Sequence, residues 1–386
     1  LEHVTHVDTD QRHGVVRYSW DLERDQQFAH FLSCIHGTDE RNLWFGHFAL
    51  PHFPWNYLPS GNRYSADSGL DRVWGTEGLF GEHWVDDELP VLQANQKYIL
   101  QLGYTDRLIG QLIDRLRETN LFDRCLLVVM ADHGIAFKKG LSERIPTDKT
   151  LAEIMSVPLF IKLPNQQAGD VIDLNVQTTD VLPTVLDVLK LAPPVPVQGR
   201  SLIDPEFKEL PVKRFTDGER DFEVDASFEG KYQVLAEQLG RFGTGADPLK
   251  IYRVGPHSEL LGKNVSEVTI QGRSRFQIHP VNYSNVTEFG NQAIVPVHLQ
   301  SQITPAPSVN EPVDFAIAVN DTIWATTRTY RVSYLRDYWS AMLPESAFLK
   351  GENNFRIFQV TSSPAGVALS ECSFGVPGRV PMLPME

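Results

Sequence analysis

The sequence predicts an α/β unit followed by an antiparallel β unit, and three features carry that prediction. A continuous apolar run, Cys125-Leu-Leu-Val-Val-Met-Ala131, directly follows a segment with helical spacing. A second strand-then-helix pattern occupies residues 157–190. Beyond residue 276 the helical period gives way to short apolar runs between turn residues. Alternating strand and helix patterns imply a mostly parallel sheet flanked by helices, and regular short strands imply a sandwich.

The first clear element is a helix over Asn95–Thr119, where Tyr98, Leu102, Ile109, Leu112, Ile113 and Leu116 form an apolar stripe. Asn120 is its stop signal, and the short link Leu121-Phe-Asp-Arg124 leads into the run at 125–131. That run is rich in Leu and Val and uninterrupted by polar residues, which predicts a parallel strand covered on both faces. Val157-Pro-Leu-Phe-Ile-Lys-Leu163 reads as another strand, ended by Pro164. A helix follows over Thr178–Lys190, opened by capping residues, with Val181, Leu182, Val185, Leu186 and Leu189 on one face. Pro183 falls early enough to be tolerated.

Pro193, Pro194 and Pro196 then interrupt the pattern, and residues 211–275 read as a connecting region without a clear helix. Strand-like runs follow at Phe276–His279, Ala293–Leu299, Val313–Val319, Thr322–Val332 and Asn354–Val360, with Asn320-Asp321 as a hairpin turn. The expected division is residues 1–210 for the α/β part and 211–386 for the connection and β part, the sandwich occupying about 276–386. Trp324 and Trp339 read as core residues ahead of a carbohydrate-binding face.

The chemistry concentrates where the run 125–131 stops, at Asp132-His133-Gly134. Open α/β sheets bind ligands beyond the carboxyl ends of their strands. A Gly after the pair permits a sharp backbone turn, so that both side chains face one crevice. A carboxylate oxygen beside an imidazole nitrogen suits a divalent metal. Taken singly, the Asp is a helix cap and the His a packing residue; their position at the strand end favours function.

Composition narrows the field. With 386 residues, 42% hydrophobic, the chain is long enough for two compact domains. A net charge of -14 without a basic stripe argues against a nucleic-acid partner. Three widely spaced cysteines give neither a disulfide framework nor a zinc cluster. No stretch approaches a membrane span, and no signal peptide opens the chain. Sequons stand at Asn264, Asn282, Asn285 and Asn320. The early histidines His3, His6 and His13 are irregularly spaced, which favours solvated or packing roles.

The order helix, apolar strand, Asp132-His133-Gly134, then Val157-Pro-Leu159, Thr179-Asp-Val-Leu-Pro-Thr184 and Gln198-Gly-Arg-Ser-Leu202 resembles the latter half of the sulfatase catalytic domain of the alkaline-phosphatase superfamily. The segment His47–Tyr64 resembles that group's histidine-bearing loop, and the likeness is greatest to membrane-anchored sulfatase-like proteins. The resemblance covers roughly residues 40–210. It implies an alkaline-phosphatase-like sheet, a β-rich accessory domain, and hydrolysis of a sulfate ester. Asp132 and His133 match the family's second pair of metal ligands. His52, in Pro-His-x-Pro, matches a histidine that contacts the transferred group or protonates the leaving oxygen, with His47 a second candidate at the end of the preceding strand. Lys138 and Lys139 stand where family members place a cation against the substrate oxyanion, and Arg144 is a more distant alternative. For these three cations a solvated loop charge is an equal reading.

The implied cofactors are a divalent metal, calcium first with manganese or zinc as alternatives, and a formylglycine. Cys34, Cys125 and Cys372 are followed by Ile-His-Gly, Leu-Leu-Val and Ser-Phe-Gly, so none lies in the family's Cys/Ser-x-Pro-x-Arg signature. The resemblance therefore implies an N-terminally truncated chain whose nucleophile lies upstream of Leu1 and which is inactive alone. It also implies an extracytoplasmic, membrane-anchored setting and a sulfated or phosphorylated small-molecule, lipid or glycan substrate. The rival readings are a phosphodiesterase or phospho-group transferase of the same superfamily acting on envelope lipids or glycans, and a noncatalytic glycan-binding protein.

Overall fold

The structure, a computed structural model, describes residues 24–37, 42–64, 83–193, 195–216, 218–280, 288–289, 294–308, 310–332, 335–364 and 366–375. The histidines at 3, 6 and 13 and the sequons at Asn282 and Asn285 lie outside them. Helix α1 (Arg24–Cys34) precedes a loop segment that reaches the long helix α2 (Glu88–Glu118), strand β1 (Leu127–Met130), helix α3 (Leu151–Met155), strand β2 (Leu159–Lys162) and helix α4 (Val181–Leu189). A hairpin of β3 (Val212–Thr216) and β4 (Asp221–Asp225) and helix α5 (Gly230–Phe242) come next. The remainder is sheet: β5 (Thr269–Pro280), β6 (Glu288–Phe289), β7 (His298–Thr304), β8 (Asp314–Val319), β9 (Thr322–Arg328), β10 (Tyr330–Val332), β11 (Leu335–Met342), β12 (Gly351–Glu352), β13 (Phe355–Ser363) and β14 (Gly366–Phe374). A mixed α/β part followed by a sheet-rich part is what the sequence predicts.

Helix α2 organises the molecule. The Asp87 side chain accepts from the Leu89 amide at its start. At its end Asn120 takes a positive φ of 58°, the Asn120 amide donates to Arg117 O and the Leu121 amide to Leu116 O, a Schellman closure. Its buried face differs from the predicted stripe. Leu100, Tyr104, Leu108 and Leu116 are buried whereas Leu102 is exposed, and the same face buries Gln93, Gln96, Lys97 and Gln101. Those amides are tolerated because backbone partners await them: Gln93 Nε2 donates to Ser340 O at 2.6 Å and Gln96 Nε2 to Ile251 O at 2.7 Å.

Three particulars correct the sequence reading. Strands β1 and β2 pair antiparallel, Leu127 opposite Lys162, and form a two-stranded sheet among the described residues. Among the described residues no strand precedes His47, residues 42–50 being loop. Residues 211–275, expected to connect, contain the β3–β4 hairpin and α5. That helix escaped notice because Gly230 and Gly240 dilute its pattern and its apolar residues Tyr232, Leu235 and Leu239 face solvent.

Among the described residues the β part is an eight-stranded sheet, in the order β10-β11-β7-β5-β14-β13-β8-β9, with β6 and β12 a separate two-stranded pair, rather than two large packed sheets. All neighbours pair antiparallel except β5 and β14, which are parallel. The sheet curls so that its ends meet: Thr327 on β9 donates to Ser340 O on β11 at 2.6 Å, and the Phe315 and Trp339 rings lie 5.8 Å apart. Phe315, Ile317 and Val319 point into the curl with Phe276, Ile278, Leu299, Ile303 and Trp339. Ala316 and Ala318 face the other way, under Leu260 and Val265. Both faces are therefore covered, and Trp339, fully buried, forms no carbohydrate-binding surface. Asn320 and Asp321, with φ of 52° and 60°, make the two-residue turn between β8 and β9. Leu58, Tyr64 and Leu100 from the α/β part join the same core, so α2 and the sheet share one hydrophobic interior. No helix among the described residues is long and apolar enough to cross a membrane.

Candidate active site

Two loops converge at the end of β1. The first carries His52 and is held by two side chains from elsewhere and one of its own. Arg24 of α1, itself buried, donates to three successive carbonyls: His52 O at 2.7 Å, Phe53 O at 2.8 Å and Pro54 O at 3.1 Å. Gln101 of α2 donates to His52 O at 2.8 Å and accepts from the amides of Asn56 and Tyr57. Trp55 Nε1 closes the turn on Pro51 O at 3.1 Å. The second loop, residues 131–150, carries Asp132, His133 and Arg144.

An aromatic cluster joins the loops. Phe53 and Trp55 from the first pack with Ile135 and Phe137 from the second, over Trp84, Val91 and Tyr98. The indole of Trp84 donates to Ala136 O at 2.7 Å. Gly134 is required for close approach rather than for its dihedral freedom. Its amide donates to Ile154 O of α3 at 2.6 Å, and a Cβ there would lie 2.1 Å from Glu153 O. Helix α3 thus sits directly against the turn that follows Asp132 and His133.

Asp132 and His133 are both exposed, and His133 Nε2 lies 4.0 Å from Asp132 Oδ2. His133 Nδ1 is 2.9 Å from Gly134 O, an acceptor only, so Nδ1 carries a proton, and in the neutral ring Nε2 keeps its lone pair. A lone pair and a carboxylate oxygen at that separation fit one side of a shared divalent ion, whose bonds are about 2.0–2.6 Å. Among the described residues no group of three or more His, Cys, Asp or Glu is placed to hold a metal.

The structure brings His52 and Arg144 into contact. Arg144 Nη2 stands 2.5 Å from His52 Nε2, and His52 Nδ1 stands 2.6 Å from Phe53 O. Burial lowers the His52 pKa below its ordinary 6.5, and the charges of Arg144, Arg24 and His133 lower it further against the opposing hydrogen bond to Phe53. His133 is thus near enough for its charge to be felt at His52.

The other predicted cations are engaged elsewhere. Lys138 pairs with Glu153 at 3.5 Å and Glu237 at 3.1 Å, bracing α3 against α5, and Lys139 pairs with Asp86 at 3.7 Å. His47 lies exposed on the loop after α1. Arg24 and Gln101 were missed by sequence reading, because nothing in a lone Arg or a mid-helix Gln marks a contact with a loop tens of residues away. The motif residues at 179–200 form a brace: Asp180, buried, accepts from the Gln177 and Arg200 amides, and Gly199, at a φ of 85°, packs on Thr179 O. Burial raises the thiol pKa of Cys125, and that of Cys372 to about 11, opposite to an activated nucleophile.

Residues 7–191 match the sulfatase family model. Similar proteins include an endo-4-O-sulfatase of Bacteroides thetaiotaomicron, 25% identical over 161 residues, which are 41% of this chain and 31% of that protein. An ulvan-active sulfatase of Formosa agariphila is 28% identical over 163 residues, 40% of this chain and 29% of its own length. Arylsulfatase K of Danio rerio is 28% identical over 122 residues, 31% and 22% of the two chains. The chain thus spans about a third or less of the relatives it matches. Among solved structures, a phosphonate monoester hydrolase from Silicibacter pomeroyi aligns over 29% of this chain and 22% of its own at 31% identity and a TM-score of 0.27.

Proposed function

We propose that this chain forms part of a metal-dependent sulfate-ester hydrolase acting on a sulfated glycan. What supports the reading is the contact of Arg144 with His52, the adjacent Asp132–His133 pair and the His133 charge felt at His52, all within the segment that matches the sulfatase family model. The relatives named for ulvan and for an endo-acting 4-O-sulfatase support a polysaccharide substrate. Asp132 and His133 would hold one side of a divalent ion, calcium ahead of manganese or zinc, and such an ion supplies Lewis-acid stabilisation to ester oxygens. The chain's own residues add a guanidinium for the nonbridging oxygens and an aromatic floor that keeps the crevice wall dry. The nucleophile, read as a formylglycine, is a separate element of this proposal, as is a setting outside the cytoplasm.

Turnover of an aryl sulfate by protein expressed from the complete reading frame tests it. Activity abolished both by a chelator and by Asp132→Ala is expected. Turnover indifferent to both would overturn the metal assignment, and hydrolysis of an aryl phosphodiester in place of the sulfate would favour the phosphoryl-transfer rival.

A further inference from the structure

The last turn of α1 carries a histidine and a cysteine that face each other, and a second histidine follows two residues on. We infer that His30, Cys34 and His36 form a binding site for a thiophilic divalent ion of the zinc class, separate from the Asp132–His133 pair and independent of the sulfate-ester reading. Cysteine spacing does not reveal it, because the other two ligands in His30-Phe-Leu-Ser-Cys34-Ile-His36 are histidines.

Helical spacing brings the first two together. Residues four apart lie on one face of a helix, one turn above the other, and His30 Nε2 stands 3.7 Å from Cys34 Sγ. A tetrahedral ion with bonds of about 2.3 Å to sulfur and about 2.05 Å to nitrogen holds those two atoms about 3.6 Å apart. The side chains therefore already stand at the separation that coordination needs. Both are exposed, so an ion reaches them from solvent.

The backbone beyond the helix puts the third ligand nearby. Ile35 is buried with Leu116 and Leu121, and its carbonyl accepts from Arg115 Nε at 2.9 Å. With Ile35 pinned inward, Cys34 and His36 are the exposed positions on either side of it. Trp44 Nε1 and His36 Nδ1 both meet Cys34 O, at 3.1 Å and 2.8 Å. A carbonyl only accepts, so His36 Nδ1 carries a proton, and the neutral ring keeps its lone pair on Nε2, the nitrogen left for a metal. Rotation of the His36 side chain closes the set, and water takes the fourth position.

The donor set decides the ion. A thiolate with two imidazoles suits zinc, whereas calcium takes oxygen ligands. The thiol proton leaves to solvent as the metal–sulfur bond forms. Cys125 is half-buried and Cys372 buried, so a metal–thiolate signal from the folded chain reports on Cys34.

The test titrates cobalt(II) into the reduced, folded chain, with zinc and calcium as competitors. The expected result is a sulfur-to-cobalt charge-transfer band in the near ultraviolet that saturates at one equivalent, is displaced by zinc and is unmoved by excess calcium. Cys34→Ser is expected to abolish the band and Asp132→Ala to leave it unchanged. His30→Ala is expected to weaken binding about tenfold or more, and His36→Ala about threefold or more. Zinc is expected to raise the thermal midpoint of the unaltered chain by more than that of Cys34→Ser, since an ion bound to the folded state stabilises it. No band, a band that survives Cys34→Ser, or one lost in Asp132→Ala overturns the site and leaves His30 and Cys34 as a hydrogen-bonded pair. Undiminished affinity in both His30→Ala and His36→Ala would reduce the contact to a thiol alone and equally end the proposal. The hydrolase reading stands or falls on the turnover experiment above, which does not involve these three residues.

Discussion

The curled sheet and the loops at the end of β1 are built on opposite plans. The sheet buries both of its faces: Phe315, Ala316, Ile317, Ala318 and Val319 are all fully inaccessible on consecutive positions of β8. The β1–β2 pair buries little, with Phe160 65% and Met130 38% exposed. Yet the candidate chemistry sits beside the thin pair. Its precision comes from polar clamps, Arg24 and Gln101, and from one aromatic cluster beneath the two loops. Bulk burial gives stability without choosing a rotamer, whereas a guanidinium on three carbonyls fixes orientation.

The sharpest way to break that comparison is to remove packing from each region. Phe315→Ala should destabilise the chain by about 3–5 kcal/mol, the range for deleting a large aromatic side chain from a closed core. Phe160→Ser, on the exposed face of β2, should change stability by less than about 0.5 kcal/mol. Urea unfolding of the two variants checks both. A loss at Phe160 matching that at Phe315 would show that β2 is covered in solution.

Gly134→Ala is expected to have the next largest effect. A Cβ 2.1 Å from Glu153 O cannot be accommodated without moving α3 or the loop, which sets a cost of about 1–3 kcal/mol. The same shift would part Asp132 from His133, so divalent-ion affinity, measured by calorimetry, should fall with stability. Unchanged metal binding in a destabilised variant would separate the turn from the ligand pair.

How much of this was legible in the sequence follows from the range of the interactions. Helix α2, the stop at Asn120, β1, β2, α4 and the Asn320-Asp321 turn rest on local rules and appear near where their residues indicate, although α2 starts at Glu88, seven residues before the expected Asn95. The burial phase of α2 was not legible, because Gln93, Gln96 and Gln101 become core residues only when distant backbone groups meet them. Strand direction was not legible either. An apolar run such as 125–131 states that a strand is sheltered, not which way its neighbour runs. At the site, the types and positions of Asp132, His133 and His52 could be read from local motifs. Arg144 stood last among the cations because sequence distance was the only measure on hand, and folding back of the 131–150 loop brings it against His52.

Acid titration compares the two regions through one chemistry. His298, buried in the sheet core near Lys97, has a pKa well below 6.5, lowered first by burial and then by that charge. His52 shifts the same way for the same leading reason. Both groups take up protons more readily when unfolded. Their contribution is complete above pH 6.5 and is lost as pH falls from there through the lowered folded values. Thermal midpoints should therefore drop on acidification below neutrality, His298 contributing the larger part and His52→Gln removing the smaller. A midpoint flat through this window would contradict the burial of both rings.

The smallest expected effect concerns the two lysines that sequence position favoured over Arg144. Lys139 and its partner Asp86 have side chains 52% and 87% exposed at a separation of 3.7 Å, and such pairs contribute about 0–1 kcal/mol. Lys139→Ala should leave sulfate affinity unchanged and stability nearly so. Lys138→Ala should be felt more, because Glu153, whose side chain is only 6% exposed, would lose the cation that opposes its burial. Burial already raises the Glu153 pKa against the pull of Lys138, and removing that pull would raise it further. Its effect should appear in the docking of α3 against α5 rather than in anion binding. Loss of sulfate affinity in Lys139→Ala, with the fold intact by circular dichroism, would return the oxyanion role to the lysines and remove it from Arg144.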